Sequence, residues 1–166
     1  MASKNSGNII ITPEPGELKI TPLAMAIFSS DLSIIINNKD ISINFRTVKH
    51  FLICLAIELG MKSALCNNKY TNSKLIKLGH NLESIAKAFN KISDNIVSGE
   101  DISILQEMNK FYCGDRKDKK SIVYAGPYLK EQILKGYKDM PNINALEQIN
   151  QKIQNFINST VLTQDE

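Results

Sequence analysis

The chain has 166 residues, of which 43% are hydrophobic and 22% are charged, and its formal net charge is +3. This length is typical of one domain with a single core, and the composition is ordinary for a soluble globular protein. The small charge does not by itself indicate nucleic-acid binding, and no apolar run approaches the roughly 18 residues of a membrane span. We expect one domain over residues 21–160, with a tail or arm over 1–20 and a short tail over 161–166.

The cysteine content indicates the compartment of the protein. Cys54, Cys66 and Cys113 are scattered and odd in number, which is typical of a reducing environment rather than of a disulfide framework. The first residues, "MASKNSGN", lack the apolar stretch of a secretory signal. The cysteines and the two histidines show none of the short spacings of a zinc site. We therefore expect a cytoplasmic protein with structural thiols, no metal site and no cofactor.

The first helix is predicted to begin at Thr21-Pro22. Threonine is a good N-cap and proline is favoured at the first helical position, and apolar spacing extends this helix to about residue 36. Before it, "NIIITPEPGELKI" favours a short extended arm or hairpin, because two β-prone runs flank prolines and a glycine. An alternative to the helix is a strand through residues 32–44 that turns at Asn37-Asn38.

The strongest helical pattern covers residues 45–67. At 100° per residue one apolar stripe comprises Val48, Phe51, Leu52, Leu55, Leu59 and Cys66. A second apolar set lies nearly opposite and comprises Ile53, Cys54, Ile57 and Met61. Between them, the small residues Ala56, Gly60 and Ser63 would let another helix approach closely. A helix that is apolar almost all round is central in a bundle or lies at a subunit interface, so we expect burial on several sides and a two-fold homodimer.

Three further amphipathic helices follow a polar connection. The first carries Leu82, Ile85, Ala86, Phe89 and Ile92 and is expected to end near "SGED". The second, with Asp101 as N-cap, carries Ile102, Leu105, Met108 and Tyr112. The last covers about 142–160, whereas residues 118–141 give no clear pattern. The fold class is therefore all-α, an up-down bundle of four to five helices with a short extended N-terminal arm or hairpin.

Two polar residues interrupt the apolar pattern of the second helix. Glu58 and Lys62 have a favourable i, i+4 spacing, but Lys62 falls on the apolar stripe, where a charge must be paired or reach water. One interpretation is a semi-buried ion pair that fixes helix register. The other is a polar cluster that lines a groove between helices.

The stretch "KLGHNLESIAKAF" contains one of the two histidines. Asn81 is a plausible N-cap, and Glu83 places negative charge in the first helical turn, where the helix dipole favours it. His80 precedes that cap. It is either a hydrogen-bonding residue that locks the loop or a site residue beside Glu58 and Lys62.

Two sets of basic residues are candidates for nucleic-acid contacts. Arg46 and His50 share one face of the second helix, where solvent exposure is the simple interpretation and a phosphate contact the functional one. The only dense basic cluster is Arg116, Lys117, Lys119 and Lys120. It is either a solvated loop or a phosphate-binding element, with Tyr112 and Tyr124 near enough in sequence to stack on bases.

The string "FLICLAIELGMKSALCNNKYTNSKLIKLGHNLESIAKAF" resembles HEPN-domain proteins, with Glu-x-x-x-Lys on one helix and Gly-His-Asn-Leu opening the next. The later "LQEMNKFYCGDR" is similar to the fourth-helix region of some members, so the resemblance covers about residues 40–125. It implies a compact helical bundle that commonly dimerises. Many members are ribonucleases or RNA-binding proteins of toxin–antitoxin and defence systems, and others partner with nucleotidyltransferases.

This sequence departs from the family's catalytic signature, an Arg followed after four to six residues by a His. Arg116 has no histidine after it, and Tyr124 is the nearest ring that could replace one. Arg46 and His50 are separated by only three residues and belong to a different helix. The departure puts the metal-independent ribonuclease activity of that motif in doubt.

Three functions remain as hypotheses. The first is a HEPN-like, non-catalytic, homodimeric RNA-binding or regulatory module, with a nucleotidyltransferase or antitoxin as candidate partner and with no membrane role. The second is a protein–protein interaction module without a nucleic-acid role. The third is a ribonuclease with a displaced site, formed by Arg116 with Tyr124 or by His80 with Glu58, which requires titratable groups within hydrogen-bond reach of each other.

Overall fold

A computed structural model describes residues 21–38, 46–113 and 140–162, apart from the side chains of residues 46 and 47. In these ranges the chain forms no strand and six helices, namely α1 (Pro22–Asn37), α2 (Arg46–Asn67), α3 (Asn72–Leu78), α4 (Leu82–Asn90), α5 (Gly99–Tyr112) and α6 (Ile143–Thr160). The protein is thus an all-α helical bundle, which confirms the fold class expected from apolar periodicity. The expected N-terminal arm and residues 118–139 lie outside the described residues.

Helix α1 begins where the sequence predicts. The Thr21 side chain accepts a hydrogen bond from the Ala24 amide at 3.1 Å, and a proline opens the helix. The helix continues to Asn37, so the alternative of a strand is wrong for residues 32–37. The rest of that alternative, from residue 39 onward, lies outside the described residues.

Helix α2 is the centre of the bundle and packs against α1, α4 and α6. The prediction that it is buried on several sides is confirmed. The second apolar set, which comprises Ile53, Cys54, Ile57 and Met61, is fully buried, as are Ala56, Ala64 and Leu65. The first apolar stripe is only partly buried, and Val48 at its end is exposed. Periodicity identified both faces, but it could not tell which one the other helices cover.

The small residues of α2 allow two helices to approach it closely, as predicted. A Cβ atom added at Gly60 would lie 2.8 Å from Ile153 Cγ2 on α6 and 2.9 Å from Ser29 Oγ on α1. The Ser29 hydroxyl donates to the Ala56 carbonyl at 2.7 Å. Glycine at position 60 is therefore required by the packing of three helices at one point.

Three elements differ from the sequence-based expectation. Helix α4 ends at Asn90 rather than near residues 98–101. Helix α3 occupies part of the expected polar connection, and because it has seven residues with only Leu75 buried, it shows no recognisable period. Helix α5 is capped by Ser98 rather than by Asp101. Asp101 instead completes a capping box, since its carboxylate accepts from the Ser98 amide at 2.8 Å while its own amide donates to Ser98 Oγ at 3.1 Å.

A buried polar network joins α1 to α6. The side-chain nitrogen Nε2 of Gln154 donates to Ser29 Oγ at 2.7 Å, and Nδ2 of Asn150 donates to Ser33 Oγ at 2.9 Å. In the described part of the chain every buried side-chain nitrogen or oxygen has a hydrogen-bond partner. These bonds specify the pairing of the two helices in addition to apolar packing.

Candidate functional site

A buried carboxylate, that of Glu58 on α2, collects three polar side chains around it. Lys62 Nζ lies 2.7 Å from Glu58 Oε1, His80 Nδ1 lies 3.0 Å from Oε1 and 3.1 Å from Oε2, and the Tyr112 hydroxyl donates to Oε2 at 2.8 Å. The Glu58 side chain is only 4% exposed. We call these four residues the Glu58 cluster.

Lys62 connects the cluster to the turn that precedes α4. It lies one turn beyond Glu58 on α2, and its ammonium group also donates to the Gly79 carbonyl at 2.6 Å. Gly79 ends α3 with φ +57°, a conformation that favours glycine. The Lys62 ammonium group, bound to both the Glu58 carboxylate and the Gly79 carbonyl, therefore holds the chain at the turn between α3 and His80.

The start of α4 is fixed by α5. Asn81 is the N-cap, as predicted, and accepts from the Ser84 amide at 2.8 Å. The side chain of Asn109 on α5 donates to Asn81 Oδ1 at 3.1 Å and accepts from the Leu82 amide at 2.8 Å. His80 thus extends from a backbone segment that is held on both sides.

Burial and the charge of Glu58 keep two groups near this carboxylate, Tyr112 and Cys54, in their neutral forms. Burial raises the pKa of Tyr112 far above its usual range, and the negative charge of Glu58 and the hydrogen bond to it raise this pKa further. Burial likewise raises the pKa of the Cys54 thiol, with the Glu58 charge as the next cause. Tyr112 is therefore a permanent hydrogen-bond donor at neutral pH, and Cys54 is an unreactive thiol.

The chemical capacity of the cluster centres on His80. Its side chain is 38% exposed, against 14% for Lys62 and 4% for Glu58, so His80 is the cluster's route to solvent. Because an ionised carboxylate only accepts, the short contact places a proton on Nδ1. A carboxylate at Nδ1 orients a histidine ring for acid–base chemistry at its other nitrogen. The Tyr112 ring meets the His80 ring edge-on, with the centroids 6.5 Å apart.

Both interpretations of Glu58 and Lys62 are represented in this geometry. The ion pair is semi-buried within α2, and it also belongs to a polar cluster formed by α2, α5 and the turn before α4. His80 bonds to Glu58, as its loop-locking interpretation requires, and it lies within the reach that the displaced-site hypothesis requires.

The expected exposure of His50 is wrong. Its side chain is fully buried, and Nε2 lies 2.9 Å from the carbonyl oxygen of Pro141. The reason is that His50 shares a face with Ile53 and Cys54, and that face of α2 is the one turned to the core. A ring held there does not offer a phosphate contact at the surface.

The other sequence candidates lie beyond what the structure describes. The side chain of Arg46 is outside the described residues, as are Tyr124 and the basic cluster, which consists of Arg116, Lys117, Lys119 and Lys120. The sequence pattern placed Tyr112 on an apolar stripe and also offered it for stacking on bases. The second expectation is wrong, because the ring is fully buried and its hydroxyl donates to Glu58. The available signal was its hydroxyl, since a buried tyrosine needs a hydrogen-bond partner.

No family model matches this chain, and comparisons with curated proteins and with solved structures find no match either. Among the described residues there is no group of three or more His, Cys, Asp or Glu side chains arranged to hold a metal ion. None of the described helices combines the length and the apolar character needed to cross a bilayer.

Proposed function

We propose that this protein is a HEPN-like, non-catalytic RNA-binding or regulatory module that works as a homodimer. The observation that carries the proposal is the Glu58 cluster. The residues on which the resemblance rests, Glu58 and Lys62 on α2 and His80 in the turn before α4, meet at one carboxylate. A chance likeness of short motifs gives no reason for those residues to converge.

The bonding within the cluster favours a regulatory or binding role over catalysis. The three side chains bound to the Glu58 carboxylate tie α2 to α5 and to the turn before α4. A carboxylate engaged in this way is a structural centre. RNA would then be bound by the basic cluster, which begins three residues after Cys113 at the end of α5.

RNA binding is tested by fluorescence anisotropy with a labelled single-stranded RNA of mixed sequence, at low and moderate salt. Alanine at the four residues Arg116, Lys117, Lys119 and Lys120 is expected to weaken binding at least tenfold. The salt slope should become shallower by about 2 to 3, because each lost phosphate contact contributes about 0.7. The matched control replaces four exposed lysines elsewhere, namely Lys69, Lys74, Lys77 and Lys91.

The control removes the same charge, so it separates a local site from the general field of the protein. Absence of binding at low salt, or equal losses in the two variants, would contradict the proposal. In that event the alternative is a protein–protein interaction module without a nucleic-acid role. A link to toxin–antitoxin or defence systems, with an antitoxin or nucleotidyltransferase as partner, is supported by the resemblance alone.

A ribonuclease with a displaced site is a second candidate, favoured by the 3.0 Å contact between His80 Nδ1 and Glu58. It predicts RNA cleavage in the presence of a metal chelator, abolished by His80→Ala and unaffected by Glu83→Gln. The control residue belongs to an exposed ion pair with Lys87 on α4. Intact RNA after long incubation with the unaltered protein removes this candidate.

A further inference from the structure

Helix α1 carries an apolar surface on its outer side. Seven large hydrophobic side chains are exposed among the described residues, and five of them lie on this one helix, namely Leu23, Ile27, Phe28, Ile34 and Ile35. Phe28 is 64% exposed and Ile34 is 65% exposed. We call these five residues the α1 face.

The α1 face cannot be buried by rotating the helix, because the opposite side is fastened to the core. Met25, Ala26 and Ser29 are buried there. The Ser29 hydroxyl donates to the Ala56 carbonyl at 2.7 Å, and the Ser63 hydroxyl of α2 donates to the Pro22 carbonyl at 2.6 Å. Rotation would break these buried bonds and expose the core residues.

The α1 face is apolar on both sides of one central charged residue. At 100° per residue its five positions fall within an arc of about 140°, and Asp31 is the single charged residue within that arc. The face runs from Leu23 to Ile35, about 18 Å at 1.5 Å per residue. A partner must therefore offer an apolar surface of three helical turns rather than a charged one.

A second copy of this chain offers such a surface. In an antiparallel two-fold pair whose axis passes Asp31, Ile27 of each helix lies opposite Ile35 of the other. Phe28 likewise lies opposite Ile34, so that four of the five apolar positions meet apolar positions. The exposed parts of the five side chains amount to roughly 500 Å² per protomer, and burying two copies removes about 1,000 Å², the lower limit of a specific interface.

We propose that the α1 face is a homodimer interface formed by antiparallel packing of α1 against α1 of a second copy. This inference rests on the proposed function in one respect, since it assigns the contact surface of the dimer. The sequence pattern indicated α2 as the contact surface, but the fully buried face of α2 is covered within the protomer by α1, α4 and α6. The contact surface is therefore assigned to α1. The small area makes the dimer reversible.

Asp31 distinguishes a second copy from a basic partner. A two-fold axis at Asp31 places the two Asp31 carboxylates opposite each other, within about 10 Å, one Debye length at 0.1 M salt. Like charges at that distance oppose dimerisation. Asp31→Asn is therefore expected to tighten a homodimer, whereas it would weaken the binding of a basic partner.

The experiment is sedimentation equilibrium of the full chain between about 5 and 500 μM, where an interface of this size dissociates. We expect a reversible monomer–dimer equilibrium. Phe28→Glu and Ile34→Glu should each raise the dissociation constant at least tenfold, and Asp31→Asn should lower it about threefold. The matched control is Ile76→Glu, because Ile76 is 76% exposed and lies on α3. It should leave the equilibrium unchanged.

Circular dichroism of each variant confirms that the fold is kept, as the exposure of the replaced side chains predicts. A wild-type monomer at the highest concentration overturns the proposal, including the case in which that monomer co-sediments with phosphatidylcholine vesicles. Equal dissociation by Ile76→Glu, or weaker association of Asp31→Asn, also overturns it. The variant neutralised at the four basic residues should still dimerise, so a failure to bind RNA and a failure to dimerise are read separately.

Discussion

The hydroxyl of Tyr112 donates a 2.8 Å hydrogen bond to Oε2 of Glu58, across 54 positions of the chain. The bond joins the last residue of α5 to the middle of α2, and neither side chain is open to solvent. It is therefore a specific tertiary contact between a neutral donor and a charged acceptor, the stronger class of protein hydrogen bond.

Tyr112→Phe tests the value of this bond. The substitution keeps the ring and its contact with Phe51, 6.1 Å between centroids, and removes only the hydroxyl. We expect the free energy of unfolding to fall by about 1.5 to 3 kcal/mol, since a buried charged acceptor loses a donor. Urea denaturation measures this change in the free energy of unfolding. Tyr70→Phe, at a partly exposed ring, should change stability by less than about 0.5 kcal/mol.

The same tyrosine predicts a loss of stability at alkaline pH. Burial, together with the charge of Glu58, raises the pKa of Tyr112 in the folded protein. A raised folded-state pKa gives stabilisation that is complete below the unfolded tyrosine pKa of about 10 and is lost as the pH rises above it. Above about pH 10 the free energy of unfolding should therefore fall more steeply for wild type than for Tyr112→Phe. The difference between the two proteins should then depart from its value at neutral pH. Parallel curves would contradict this.

The sequence predicted those features that depend on near neighbours. The Asn81 cap, the start of α1 and the close approach at Gly60 all follow from local chemistry or helical spacing. The partners of His50 and Tyr112 did not follow, because they lie 91 and 54 positions away. Burial of His50 depended on which side of α2 faces the core, and two nearly equal apolar sides left that open. Helix α3 was missed because seven residues are too few to show a period.

Gly60→Ala tests the close approach of the helices. Alanine has the higher helix propensity by about 1 kcal/mol, but its Cβ would lie 2.8 Å from Ile153 Cγ2 and 2.9 Å from Ser29 Oγ. Overpacking costs about 1 to 3 kcal/mol, and here two neighbouring helices must move together. We expect a net loss of about 1 to 2 kcal/mol in thermal or urea unfolding. Gly99→Ala, which meets nothing within 4 Å, should not destabilise the protein.

The ion pair between Asp101 and Lys152 predicts a dependence on acid pH. Burial opposes ionisation of Asp101, but hydrogen bonds from Lys152 and Ser98 and the lysine's charge outweigh it, so the pKa of Asp101 is lowered. A lowered folded-state pKa gives stabilisation that is present above the unfolded pKa of about 3.9 and is lost as the pH falls through the folded value.

Asp101→Asn should accordingly reduce stability at pH 7 by less than about 1 kcal/mol, because solvent screens the partly exposed pair. The difference from wild type should shrink below about pH 4. Urea midpoints measured at several pH values give this comparison, and a difference that grows in acid would contradict the sign. Lys152→Met should reproduce the loss at neutral pH, since it removes the same contact of 2.6 Å.

Glu58→Gln tests whether the cluster is a structural centre. The substitution preserves shape but removes the charge that Lys62 and His80 face. The Lys62 ammonium group, 14% exposed, then keeps its hydrogen bond to the Gly79 carbonyl but loses its counter-charge. Breaking a buried pair by removing one partner costs about 3 to 5 kcal/mol. Because Lys62 retains some access to water, we expect about 2 to 4 kcal/mol in urea unfolding.

The matched control for this change is Glu83→Gln, which removes the same charge from an exposed i, i+4 pair with Lys87 on α4. Such a pair contributes about 0.3 to 0.5 kcal/mol. Hydrogen exchange should show where the loss is felt. In Glu58→Gln the amides of the turn between α3 and α4 should exchange faster, because the Lys62 and His80 contacts that hold it are weakened. Equal stabilities of the two variants, with unchanged exchange in the turn, would mean that the carboxylate does not hold these helices together.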